Sequence, residues 1–93
     1  MNKELINMLE DLRDFSENRV PINLKSLINT IKEYGYNVIA SEGERDARLG
    51  IFNNFIDPFR PICVIHFFHT DKNNILVSGV TNSVIKGIDF VSI

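Results

Sequence analysis

Between Ile62 and Ile93 the chain carries four charged residues, whereas most of its charge lies within the first forty-eight positions. That asymmetry constrains the fold more than any other feature. An apolar stretch cut by turn residues packs as strands, and the charged half then supplies the helices that cover it. Ile62 to Phe68 is apolar on both faces, as expected of a strand in the middle of a sheet. Asp71-Lys72-Asn73-Asn74 is a turn into a second strand from Ile75 to Val80, and Thr81-Asn82-Ser83 is another turn. A last strand is expected within Val84 to Ile93, with Gly87 marking a bulge.

The first segment has helical spacing. Leu5, Met8, Leu9, Leu12 and Phe15 recur at intervals of three and four with Ile6 at the edge, and Ser16-Glu17-Asn18 breaks the pattern. Its other face holds Glu4, Glu10, Asp11, Asp14 and Glu17, interrupted by Arg13. A second helix begins at Asn23, a good N-cap, with Ile22 placed to staple onto Leu27. Leu24, Leu27, Ile28 and Ile31 form its buried stripe. Gly35 suits the left-handed position just past its end, near Tyr34, and Tyr36 can pack back on Ile31.

Tyr36 to Ala40 is expected to be a short strand. For Ser41 to Asp57 two structures compete. Ser41-Glu42-Gly43-Glu44 has capping-box spacing, and Ala47, Ile51, Phe52, Phe55 and Ile56 follow a helical rhythm, so a helix is expected. Gly43, Gly50, Asn53 and Asn54 are poor helix formers, and the competing form is a hairpin turning at Glu42-Gly43 with Val38 opposite Ala47. The expected fold is a single α+β domain over residues 1–93, with two N-terminal helices on one face of a mostly antiparallel four-stranded sheet. Its chain order is ααβ(α)βββ, and a crossover through Ser41 to Pro61 would make the first strand parallel to its neighbour.

No catalytic, metal or phosphate-binding constellation is complete. Cys63, His66 and His69 have ligand-like spacing, but on a strand His66 points away from the other two. Cys63 and His69 then lie about 20 Å apart, too far for one ion. No metal and no cofactor is therefore expected. Ser78, Ser83 and Ser92 sit near the histidines, none in a nucleophile-elbow context. A net charge of −2 argues against direct binding to nucleic acid.

Two charged clusters remain as candidate sites. Glu10, Asp14 and Glu17 align at i, i+4 and i+7 with Asp11 alongside, a stripe able to imitate a phosphate row and occupy the basic cleft of an effector or nuclease. Glu42, Glu44, Arg45, Asp46 and Arg48 form the densest cluster. As a helix start it is a self-paired surface, and as a site it would hold a divalent ion beside a phosphate.

Cys63 is the one cysteine, so no internal disulfide forms, and the N-terminus lacks the basic and apolar regions of a signal peptide. With no apolar run of membrane-spanning length, a cytoplasmic protein is expected. Thirteen Ile and eleven Asn against two Ala point to an A/T-rich gene, as in a low-GC bacterium or its phage. The expected function is a small non-catalytic inhibitor of a protein partner, of the toxin-immunity or phage counter-defence type. The alternatives are a minimal nuclease using the Glu42–Arg48 cluster and a homo-oligomeric regulatory module. The terminal strand, with Ile88, Phe90 and Ile93, has no proline to block edge pairing, so either a homodimer through it or a partner strand laid against it is expected.

Overall fold

Leu5, Leu9 and Leu12 lie on one side of the first helix because residues four and three apart share a face, and all three are buried with Met8. The computed structural model describes residues 3–42, 47–53 and 57–82. Within them α1 spans Lys3–Glu17 and α2 spans Leu24–Glu33. Burying each such side chain contributes roughly 1.5–3 kcal/mol, so the stripe rather than helix propensity holds α1 in place. Phe15, expected in the stripe, is instead 40% exposed at its margin.

The two helices end differently. In α2 the Asn23 side chain accepts from the Ser26 amide at 2.9 Å, and Gly35 takes a φ of +92° beyond the Tyr34 cap. Both ends are as the sequence predicts. In α1 the Val20 amide donates to the Phe15 carbonyl at 2.8 Å and the Arg19 amide to that of Ser16 at 3.2 Å. This is a Schellman closure whose left-handed position is filled by Arg19, at φ 54°, where glycine is usual.

Among the described residues five strands form one antiparallel sheet in the order β1-β5-β4-β3-β2. They are β1 (Ile22–Asn23), β2 (Asn37–Glu42), β3 (Ala47–Asn53), β4 (Asp57–His69) and β5 (Asn74–Asn82). The α+β class and the central place of the Ile62–Phe68 strand hold, but the four-stranded order does not. The helix expected over Ser41 to Asp57 is replaced by the β2–β3 hairpin. Ala47, Leu49 and Ile51 are buried opposite Phe67, Ile65 and Cys63 of β4, so alternation at two wins over the helical rhythm. Its register pairs Glu42 with Ala47 and Val38 with Ile51, rather than Val38 with Ala47. Among the described residues no parallel crossover forms, because β2 to β5 run as an antiparallel meander.

Strand β1 was not expected. Ile22 and Asn23 pair with Ile75 and Asn74, and the Leu24 amide donates to the Asn73 carbonyl at 3.0 Å. Asn23 therefore caps α2 and ties its start to the sheet. The β4–β5 turn is held by Asp71, whose carboxylate accepts from the Asn73 and Asn74 amides at 2.8 and 2.9 Å. Hydrogen bonds from the Asn74 side chain and from those two amides hold this carboxyl below its ordinary range.

The helices cover one face of the sheet. Cys63, Ile65 and Phe67 are buried there, while on the opposite face Val64 is half-buried with His66, and Phe68 is 49% exposed. In β5 a bulge at Ser78, where His66 pairs with Gly79 and Phe67 with Val77, shifts the phase so that Val77 and Val80 are both buried. On the open face Gly50 makes room for Phe52, since a Cβ there would lie 2.9 Å from its ring. The expected strand over Val84 to Ile93, its bulge at Gly87 and the homodimer edge lie outside the described residues.

Two stability changes follow. Phe67 is 3% exposed and meets His69 edge-on, with ring centroids 5.7 Å apart. Phe67→Ala should cost roughly 3–5 kcal/mol in urea unfolding; an unchanged midpoint would show the core to be elsewhere. Arg19→Gly should add roughly 0.5–1 kcal/mol by relieving the left-handed backbone. A loss instead would mean that the Arg19 side chain, in a crevice with Phe68 and Leu76, contributes more by packing than its backbone costs.

Candidate functional site

The stripe that holds α1 on the core leaves its flank facing α2 only partly covered. Between the helices runs an open groove of about 370 Å3. Its apolar floor is made by Met8, Leu12, Phe15, Ile22 and Leu27. Glu4 and Asp11, seven residues apart and on the same side of α1, stand on one rim. Ser26, Thr30 and Tyr34, at i, i+4 and i+8, make the other wall. The Thr30 hydroxyl donates to the Ser26 carbonyl at 2.9 Å.

The predicted acidic stripe divides across this geometry. Asp11 belongs to the groove, and Asp14, three residues on, continues its row just beyond the lining. Glu10 and Glu17 lie further round α1, where Glu17 meets Arg13 at 3.3 Å. All four are exposed. Glu4, Glu10, Asp11 and Asp14 form no ion pair among the described residues. The Arg13–Glu17 pair is itself solvent-exposed, so it contributes at most about 1 kcal/mol.

The second predicted cluster is split. Glu44, Arg45 and Asp46 lie outside the described residues. Glu42 and Arg48 are on neighbouring strands, but Glu42 pairs with Ala47 and Arg48 with Ser41, so their side chains leave opposite faces of the sheet. Glu42 meets His69 at 2.8 Å, with both side chains substantially exposed. Because residues 47–53 form a strand, the i, i+4 helix pairing of Glu44 with Arg48 does not apply.

The histidines are likewise separated. His66 lies on the open face, its Nε2 2.8 Å from the Thr81 hydroxyl on β5. Thr81 went unnoticed in the sequence because it is fifteen residues from His66 and is brought there by strand pairing alone. A hydroxyl beside a histidine is the beginning of a nucleophile–base pair, but catalysis also needs amide donors aimed at an oxyanion. His66 and Thr81 sit on paired stretches of β4 and β5, beside the register shift at Ser78. Ser78 is the bulge residue of β5, and Ser83 and Ser92 lie outside the described residues.

Cys63 is 1% exposed, and burial pushes its thiol up to about 12. It belongs to the core, away from His66, and among the described residues no group of three His, Cys, Asp or Glu side chains gathers to hold a metal. No described helix is long and apolar enough to cross a membrane. In comparisons with known proteins the chain matches no family model, no curated relative and no solved structure.

The state of the thiol can be measured. At pH 8 a disulfide reagent should label native Cys63 slower than the urea-unfolded chain by roughly a hundredfold or more, since the thiolate is scarce and covered. Equal rates would show that β4 is not enclosed.

Proposed function

We propose that this protein is a non-catalytic binding protein that takes a basic, amphipathic segment of a protein partner into the groove between α1 and α2. The observation that carries the reading is the pairing of unbalanced carboxylates with an apolar floor. Among the described residues Glu4 and Asp11 have no cationic partner, and they stand on the rim above Met8, Leu12 and Phe15. A basic helix with an apolar stripe satisfies both requirements at once. Glu10, Asp14 and Glu17 extend the negative potential around α1 and steer such a partner inward.

On this reading the biological role is inhibition. A small acidic protein that fills the basic cleft of a toxin or a defence effector needs contact area and charge but no active site of its own. Toxin immunity and phage counter-defence are the two settings that fit this chemistry. The nuclease alternative has less support, since Glu42 and Arg48 leave opposite faces of the sheet.

The test is to capture partners with the wild-type protein and, in parallel, with Asp11→Lys/Asp14→Lys. The bound protein is then purified and its association measured. The charge-reversed protein should fold normally, because exposed substitutions change stability by about 0.5 kcal/mol or less. Its association rate should fall by about tenfold or more. The wild-type rate should also drop as salt shortens the Debye length to roughly 8 Å at physiological strength. A rate indifferent to both salt and charge reversal would leave the acidic rim as solvated surface. Cleavage of nucleic acid by the purified protein, lost in Glu42→Ala, would replace this reading with the enzymatic one.

A further inference from the structure

Helix α2 has a second flank, turned away from the acidic groove. Lys25 and Lys32 stand on it seven residues apart, with half-buried Ile28 between them. Lys72 from the β4–β5 turn faces them across a second groove of about 430 Å3. None of the three lysines forms an ion pair among the described residues. Charge is therefore segregated about α2, with unpaired carboxylates beside one flank and unpaired ammonium groups on the other.

We propose that one occupant of the acidic groove is a second copy of this chain, which lays its Lys25–Ile28–Lys32 flank against α1. The proposal rests on the groove being a binding site and names a partner for it. The two surfaces match in register. Along α1 the sequence Glu4, Met8, Asp11 has steps of four and three. Along α2 the sequence Lys25, Ile28, Lys32 has steps of three and four. Docked antiparallel, Lys32 meets Glu4, Ile28 meets Met8 and Lys25 meets Asp11, each charge pair separated from the other by about 10.5 Å along the axis. Met8 is part of the groove floor and 8% exposed, so the isoleucine touches its edge, with Phe15, 40% exposed, the open apolar surface of the same groove.

The groove and the lysine flank lie on opposite sides of α2, so a copy that offers its flank still has an empty groove. Such a head-to-tail contact is heterologous and grows into a ring or a chain rather than stopping at two. The area is small and the charges are exposed, so the contact is weak and salt-sensitive. Self-association would occupy the groove until a more basic partner displaced the second copy.

Sedimentation velocity on the full chain tests this at about 20 mM and about 500 mM salt. At low salt the average mass of the wild type should rise beyond a dimer with concentration, and at high salt it should return to monomer. Lys25→Ala/Lys32→Ala and Glu4→Gln/Asp11→Asn should each be monomeric and fold normally by circular dichroism. Mixed in equal amounts they should form a pair and stop, because one variant keeps the groove and the other keeps the flank. A wild type that stays monomeric up to about 1 mM at low salt overturns the proposal. Association that survives either variant, or that ignores salt, overturns it equally. The two readings fail separately. A monomer that still binds a basic partner removes self-docking alone. Self-association that persists while no basic partner competes for the groove removes the inhibitor alone.

Discussion

Ile65 is fully buried between Leu49 of β3 and Val80 of β5, in one cluster with Leu5 and Leu9 of α1 and Ile31 of α2. This cross-strand row is the point at which sheet and helices meet. On either side of it run parallel rows, Ile51 with Cys63 and Ala47 with Phe67 and Val77. A slip of one residue in β4 would turn Ile65 and Phe67 outward and bring His66 and Phe68 inward, so the register is specified by burial itself. The bulge at Ser78 serves the same end. It lets β5 present Val77 and Val80 to the core although they are three residues apart.

With the rows in place, the rest of the architecture has little freedom. α1 lies against β5, and α2 is tied to the sheet through β1 at its start and lies beside β2 at its end. Two short helices on a five-stranded sheet leave a furrow between them, and that furrow is the acidic groove. The same arithmetic leaves the other face of the sheet without a helix among the described residues. Ile39 and Phe68 are exposed there, around the hydrogen-bonded pair of His66 and Thr81. The charges sort by side for a mechanical reason. A helix of ten residues has room for one buried stripe and two flanks, and α2 carries hydroxyls on one flank and lysines on the other.

The sequence was legible wherever structure depends on near neighbours. Asn23 announces a helix start because its side chain reaches an amide three residues on, and Gly35 announces an end because its φ is open to few other residues. The β2–β3 hairpin was not legible in the same way. Ala47, Ile51, Phe52 and Phe55 read as a helical face, and the alternation of Ala47, Leu49 and Ile51 became decisive only once β4 lay opposite. Strand β1 was missed because two residues make no pattern, and Asn23 was already explained as a cap. The acidic residues of α1 stand out in sequence as a charged row, whereas Ser26, Thr30 and Tyr34 across from them share a spacing of four but carry no charge to mark it.

Composition, periodicity and caps by themselves determined two helices, a central apolar strand and an acidic helix face. Each of these follows from interactions within a few residues or from the cost of leaving apolar surface in water. Tertiary structure alone decided that Glu42 and Arg48 part company, that His66 finds Thr81 and that Asp11 borders a groove while Glu10 does not. Those outcomes depend on which strand pairs with which and at what angle two helices cross a sheet. Such pairings join residues far apart in the chain, and no local preference encodes them.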